Sequence, residues 1–523
     1  MGIVWDKAAV HRGLETLARA RPALLRHLAG LLDGYHGTRR GTAYFEVLAG
    51  DWLDAFSHVT YAAFQEAEAF GACPGLRETV VPADIEQFSR MRWESAALHE
   101  QLRSAVAWLR GGGSPGSWQG RTTGIIARGY QSTPWPKRVL RAFGPRRPQV
   151  LVVQPYVRCS RSEWASSLWT WRRWLAWDDL NYPITIEAPL DQAWRRGRAD
   201  EACPATDLTG VLKALMPLFL PIALLEGFAA CRASALALPI FRPRAVYSAV
   251  GLHAHLMFKL LAAEWRAEGT KLLYHQHGGG YGLDCIHAVE DYETSVADRF
   301  YTWGWTRPDR PVSPLSPLVA TGSYPRGDTV SVTAIDFPRH VYRLHFHPMP
   351  GTVETMMRET RAFLDRSDRG SGMTIRPYPY DYGWGMSDML REAAPAARFD
   401  VRRKGALAMF RRSRLAVHNY LGTSWLETLA MDIPTLAFYD RDTYAFRDEA
   451  FPLVKELERV GILHASGGGA AAMLKDVRRD VEGWWRNPEL QSARVAFCER
   501  YARFSPHWKD EVARALEAEI TSP

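Results

Sequence analysis

Apolar residues in the first hundred positions fall at helical spacing. Leu14, Leu17, Leu24, Leu25, Leu28, Leu31 and Leu32 recur largely three, four or seven apart, which places them on one helix face. Few runs in residues 1–110 alternate as a strand would, so this region is predicted to be helical. Gly111 to Ser117 (GGGSPGS) interrupts the pattern as a loop. Basic, proline-bearing sequence follows as far as Pro148. The period then changes. Gln149–Gln154 (QVLVVQ) is a short apolar run between two prolines, which predicts a buried strand. Ala245–Ser248, Lys271–His275, Ala297–Thr302 and Leu318–Thr321 are further strand candidates, with a helix near Leu252–Glu268.

A second alternating series follows. Tyr342–Phe346, Met373–Arg376, Leu415–His418 and Pro434–Phe438 are predicted strands. Thr352–Asp365, Leu407–Arg412 and Ser424–Met431 are predicted helices. Strands alternating with helices imply parallel sheets covered on both faces. The fold class expected is therefore α/β: two Rossmann-like, doubly wound domains facing a cleft, with a helical N-terminal region. Pro308, Pro311, Pro314 and Pro317 fall within Thr306–Pro317 and predict a stiff connection there. The expected division is 1–310 (helical 1–110, Rossmann-like about 148–310) and 311–523 with terminal helices. Ligands of such sheets bind outside the carboxyl ends of the strands.

Composition narrows the class. The chain has 523 residues, 47% hydrophobic and 23% charged, which excludes a mainly disordered, collagenous or coiled-coil protein. Lys and Arg number 65 against 57 acidic residues, for a net charge of +8, and 56 of the 65 are arginine. Such an excess fits phosphate-bearing ligands; it also fits a GC-rich genome. The strongest apolar stretch, Val211–Phe241, carries Lys213, Glu226 and Arg232. Its longest uncharged part, Ala214–Leu225, is shorter than the roughly 20 residues a membrane span needs. It predicts a buried, partly helical segment or a membrane-surface contact. Met1–Arg12 lacks the apolar core of a signal peptide. The six cysteines are dispersed with no CxxC pair, as suits reduced thiols in the cytoplasm.

The densest chemistry lies in Tyr274–Gly282 (YHQHGGGYG). It begins as a strand and ends in glycines that let a ligand approach the main chain. Histidine is the side chain suited to moving protons near neutral pH. His277 is the candidate acid or base, with Gln276, Gly278, Gly279, Gly280 and Tyr281 as a substrate loop. A tight turn with structural histidines would use the same residues. Glu290 and Glu293 follow, three apart and so on one helix face. They could supply a general base, or be an acidic helix start facing the helix dipole.

In the second series, Leu415–His418 leads into Asn419-Tyr420-Leu421-Gly422-Thr423-Ser424 and then a helix. Free N–H groups at a helix N-terminus, with two hydroxyls, make an anion site. Gly422, Thr423 and Ser424 would hold phosphates, helped by Arg376. Glu427 could reach a ribose, or close a capping box with Ser424. Neither GxxxxGK[ST] nor GxGxxG occurs at such a turn. His345 and His347 alternate on a predicted strand without an acidic third ligand nearby, so no metal site is expected. The aromatics of Tyr378–Trp384 could stack on a base or sugar.

QHGGGYG, the following E-x-x-E, Ala297–Trp305 (ADRFYTWGW), Asp381–Trp384 (DYGW) and Asn419–Asp440 resemble a bacterial family of O-antigen and surface-carbohydrate transferases. Tyr44, Gly50, Asp51, Trp52 and Leu53 are similar to that family's N-terminal pattern. The resemblance implies a GT-B glycosyltransferase with a nucleotide-sugar as co-substrate, no other cofactor and no general need for a metal. It implies a lipid-linked or growing glycan as acceptor, in the cytoplasm, with peripheral contact at the anionic inner face of the plasma membrane. Asp381 and Asn419 fall in its motifs and join the donor side. His347-Pro348 resembles bacterial transferases using CMP-linked sugars, including sialic acid and Kdo, which favours a CMP-sugar and adds His347. A teichoic-type polyol-phosphate transferase, a nucleotide-sugar epimerase and a non-enzymatic glycan-binding protein also remain. A nucleic-acid partner is not expected, because the polar clusters sit at strand ends rather than along a basic aromatic stripe.

Overall fold

The computed structural model describes residues 5–70, 79–80, 96–113, 119–120, 123–128, 148–158, 167, 171, 174–182, 184–319, 321, 327–401 and 406–521. The N-terminal region is helical, as its periodicity predicts. Helix α1 (Lys7–His36) starts at Asp6, whose carboxylate accepts from the Ala9 N–H at 2.6 Å. It ends at Gly37 in the left-handed region, φ 63°. Its leucine stripe is buried against α2 (Gly41–Phe70). The loop expected at Gly111–Ser117 falls partly outside the described residues.

Two six-stranded parallel sheets follow. The first contains β1 (Val150–Val153), β2 (Leu175–Trp177), β3 (Ala245–Ser248), β4 (Lys271–His275), β5 (Arg299–Thr302) and β6 (Val312–Pro314), in the order β6-β5-β4-β3-β1-β2. The second contains β7 (Thr329–Ala334), β8 (Met373–Pro377), β9 (Arg398–Phe399), β10 (Ser413–His418), β11 (Thr435–Phe438) and β12 (Leu463–His464), in the order β9-β8-β7-β10-β11-β12. Both orders reverse direction at one point, between β1 and β3 and between β7 and β10. Doubly wound sheets bind ligands at such switch points. Strands β1, β3 and β11 are buried along their whole length, which is why they read as unbroken apolar runs.

Two expectations need correction. The proline-rich stretch is not a free connection: Val312–Pro314 pairs with β5 as the outer strand of the first sheet. An edge position tolerates proline because one side needs no ladder hydrogen bond. The chain passes to the second sheet only between Val319 and Thr329. Residues 342–346 are not a strand. The first strand of the second sheet is Thr329–Ala334, whose Thr and Ser positions weakened its apolar signal. Leu344 and Phe346 are buried for another reason: the segment is wedged against α2, where the Leu344 N–H donates to His58 Nδ1 at 2.7 Å.

The apolar stretch is core from Val211 to Phe228, and beyond it Leu236 and Phe241 are exposed. It forms α3 (Leu208–Phe219) and α4 (Phe228–Leu236), packed on the N-terminal helices. Arg195 donates to the Pro217 and Leu220 carbonyls at 2.8 and 2.9 Å and pairs with Glu226 at 2.7 Å. A buried cation thus satisfies carbonyls left open where α3 ends. Among the described residues, no helix is long and apolar enough to cross a membrane. At the other end, α5 (Pro488–Tyr501) packs on the second half through Phe497 and Trp425, while α6 (Trp508–Thr521) returns to the first sheet with Trp508 against Trp171.

Candidate functional site

The carboxyl ends of both sheets line one cleft of about 760 Å³. From the second sheet come Thr333, Ala334 and Ile335 at the end of β7, and His418 and Asn419 at the end of β10. This is the switch point of that sheet. Gly422, Thr423 and Ser424 line the cleft with them, and so do Arg376, Pro377 and Tyr378 at the end of β8. The helix opening at Thr423 has Gly422 as its N-cap, and no side chain caps it. Its first amides and the Thr423 and Ser424 hydroxyls therefore border the cleft, in the arrangement that receives anions. Arg376 also donates to Asp400 at 3.2 Å, which fixes its direction.

The opposite wall comes from the first half. His277, Gly278, Gly279 and Tyr281 line it, and the Gly279 N–H donates to Thr423 Oγ1 at 3.1 Å. Behind His277 lies Glu293, fully buried on the helix Ala288–Val296. Tyr281 donates to Glu293 Oε2 at 2.8 Å, and Glu293 Oε1 is 3.9 Å from His277 Nδ1. A second imidazole shares that oxygen: His253 Nε2 is 2.7 Å away. Burial pushes Glu293 up to about 8, opposed by His277 and the Tyr281 hydrogen bond. Burial pushes His277 and His253 down to about 4. The centre thus favours a protonated carboxyl between two neutral rings at neutral pH.

His253, His277 and Glu293 bring two ring nitrogens and one carboxylate oxygen within 4.8 Å of one another. Two ligands of one tetrahedral ion at about 2.0–2.2 Å would stand about 3.4 Å apart. The 2.7 Å contact between His253 and Glu293 is shorter than that separation.

Several candidates have other work. Gln276 is buried; its carbonyl accepts from the Trp303 N–H at 2.9 Å and Trp305 Nε1 at 2.8 Å, and its amide donates to the Gly278 carbonyl at 2.8 Å. It shapes the loop rather than touching the cleft. Gly280, at φ 89°, faces Asp284 and His287. Glu290 does not face the cleft: it accepts from the Gly282 N–H at 2.7 Å and Arg447 at 2.7 Å, with Arg307 at 3.2 Å. His347 is buried, 3.1 Å from Thr443 Oγ1 and away from the cleft wall. Asp381 closes a turn by accepting from the Gly383 N–H at 2.8 Å. Glu427 is also off the cleft. Its carboxylate accepts from Tyr156 at 3.0 Å and lies 3.8 Å from Arg158, both in the first half. Asn419 does line the cleft, while its side chain accepts from the Ile335 N–H at 2.9 Å and donates to Thr360 at 3.0 Å.

The sequence reading missed His253, Arg158 and Arg343, which line the same cleft. His253 had a signal: a strand, then Gly251, then helix, as at Gly422. Arg343 has none, because 342–346 reads as a strand. Helix α2 adds Asp51, paired with buried Lys259, and Asp54, paired with Arg21 at 2.7 Å.

Against known proteins, a family model described as LIC12162 family transferase matches residues 6–516. No curated protein matches the chain. Among solved structures, the wall teichoic acid polymerase TagF is similar at 9% identity over 74% of this chain and 92% of that one, with a TM-score of 0.36. The O-GlcNAc transferase of Thermobaculum terrenum is similar at 12% identity over 96% and 98%, with a TM-score of 0.35. MurG of Acinetobacter baumannii is similar at 11% identity over 71% and 100%, with a TM-score of 0.33.

Proposed function

The chain belongs to the LIC12162 family of transferases, and from that premise we propose that it moves a sugar from a nucleotide-sugar to a lipid-linked or growing surface glycan. The observation that carries this reading is the division of the cleft. One wall offers an uncapped helix start at Gly422–Ser424 together with Arg376. The other presents a neutral imidazole backed by a buried carboxyl.

In this reading, the donor phosphates lie against the amides of the Gly422 turn, with Arg376 and Arg343 meeting their charge. The base stacks on Tyr378, whose ring is 6.0 Å from Tyr382. The acceptor hydroxyl approaches from the side of α2. His277 takes its proton as the oxygen bonds to the anomeric carbon, and the bond from that carbon to phosphate breaks. Preorganised cations and amides stabilise the leaving phosphate, so no metal ion is written into the reaction. Ribose binding is not assigned to Glu427, whose carboxylate is engaged by Tyr156. The preference for a CMP-sugar rests on the His347-Pro348 similarity; with His347 off the cleft, cytidine is one member of a panel. For peripheral membrane contact, residues 211–228 are core, and of the large apolar side chains in the stretch only Leu236 and Phe241 are exposed.

The test is a thermal-shift panel with CMP, CDP, UDP and GDP and their sugars, because a ligand that binds the native state raises its Tm. Selective stabilisation by one nucleotide supports the reading. No shift from any of them in folded protein overturns it. Phosphate retained on the acceptor after turnover would make the enzyme a polyol-phosphate transferase instead.

A further inference from the structure

His253 is the histidine of the centre that this chemistry leaves unused. It sits in the short helix Gly251–Ala254 that follows β3. Its ring meets His277 edge-on, with centroids 4.8 Å apart and planes at 70°. Its Nε2 lies 2.7 Å from Glu293 Oε1, the oxygen that also faces His277 Nδ1. Both atoms of the short contact are enclosed, and their approach is off the line of a hydrogen bond, so neither is satisfied as it stands. A small rotation of either side chain would align them. The other carboxylate oxygen is held by Tyr281 at 2.8 Å, which fixes which edge of Glu293 the two rings share.

We propose that His253, Glu293 and His277 are one proton-handling unit, in which His253 is a positioning residue that receives the Glu293 proton as His277 takes the proton of the acceptor. The inference rests on the transfer reading above. When the acceptor O–H bond breaks, its proton goes to His277 Nε2, and the oxygen's electron pair forms the bond to the donor carbon. The bond from that carbon to phosphate oxygen breaks, and its electron pair leaves with the nucleotide. An imidazolium enclosed beside a neutral carboxyl has no counter-charge. Moving the Glu293 proton to His253 Nε2 leaves a carboxylate facing His277 Nδ1–H, and His253, with 29% of its side chain exposed, can then release its Nδ1 proton to water.

The resting state suits this direction of transfer, since burial holds the proton on Glu293 and off both rings. The charged groups acting on His253 are Asp51 from α2, Lys259 from the helix after it and Arg343 from the wedged segment. Glu293 also feels Arg343, Glu290 and the Tyr281 hydroxyl, and it faces the Tyr274 hydroxyl from β4. The Asp51–Lys259 pair is internally neutral. Arg343 opposes a second positive charge, which favours release of the proton from His253 once transfer is complete.

The test has two arms on the intact chain. Histidine-selective NMR follows the His277 titration in the wild type, H253A, H253N and E293Q. In H253A and H253N it should move to higher pH, because the second ring no longer competes with His277 for positive charge; in E293Q, where the amide mimics the neutral acid, it should stay near its wild-type position. An unchanged His277 titration in folded H253A and H253N overturns the inference, whatever the substrate. The second arm is turnover with the donor found by the nucleotide panel. H253A and H253N should each lose about 100-fold in kcat with KM little changed, and added imidazole should restore part of the H253A loss. Wild-type kcat in H253A, or a loss confined to KM, overturns the inference. If the wild type itself transfers nothing, the transfer reading fails and the proton relay written on it falls too; the NMR arm then still decides whether the three residues titrate as one unit.

Discussion

Gly279 donates its backbone N–H to Thr423 Oγ1 at 3.1 Å, although the two residues belong to different halves of the molecule. The glycine loop of the first sheet thereby rests on the helix start of the second. A Cβ on Gly279 would stand 2.7 Å from the carbonyl carbon of Gly422, which is backbone and cannot turn aside. Gly279→Ala should therefore hold the halves apart. Overpacking of this kind costs about 1–3 kcal/mol, and misplacement of the reacting groups should lower turnover about 100-fold. Thermal denaturation and steady-state kinetics check it. Gly278→Ala, whose Cβ would meet only the Thr423 hydroxyl at 3.2 Å, should be milder in both.

Glu427 separates a binding role from a structural one. Glu427→Ala removes the acceptor of the half-buried Tyr156 hydroxyl and the charge facing Arg158, which costs about 1 kcal/mol. Glu427→Gln keeps an acceptor and should recover most of that stability. Neither should change nucleotide affinity more than about two-fold. Urea denaturation and nucleotide titration measure the two effects; a ten-fold affinity loss in a stable Glu427→Gln protein would return Glu427 to the donor site.

Glu293 predicts a pH dependence of stability. Its ordinary value of 4.5 is raised to about 8 in the folded state, chiefly by burial. The folded state therefore binds the proton more tightly than the unfolded chain. The stability this contributes is complete below about 4.5 and is lost as pH rises through about 8. Glu293→Gln mimics the neutral acid and cannot lose a proton. The Tm of the variant should gain on that of the wild type between pH 5 and 8.5, and a constant difference would show that Glu293 is ionised throughout.

Arg343 lines the cleft that holds the proposed phosphate position and acts electrostatically on His277 and Glu293. Arg343→Ala should weaken binding of the nucleotide identified by the panel about ten-fold at 0.1 M salt and flatten its salt dependence, since one charged contact is lost. Arg343→Lys should recover only part, because an ammonium lacks the planar fork. Calorimetric titration at two salt concentrations reads both.

Much of the architecture was legible because buried parallel strands leave unbroken apolar runs; β3 and β4 match their predicted limits residue for residue. The glycine loops were legible for a related reason: a strand that ends in glycine must bring backbone close to something. What it approaches could not be read. Gly279 meets the other half of the same chain. Glu427 and His347 carry residue types suited to a ligand, but long-range packing turns them toward Tyr156 and Thr443. Glu290 and Glu293 look equivalent on one helix face; their partners distinguish them, among them Arg447, 157 residues away in sequence, which holds Glu290. Thr329–Ala334 escaped because its polar positions imitate an exposed strand, and 342–346 misled because a wedge between halves buries side chains as a strand does.

Helix α6 ends the chain on the sheet where the parallel architecture began. The second lobe is therefore spliced into the first, leaving it after Val319 and rejoining it through α5. A lobe held by one strand could swivel freely; one held at two points, and bonded along its seam from Tyr444 to Asp284 and from Arg447 to Glu290, cannot.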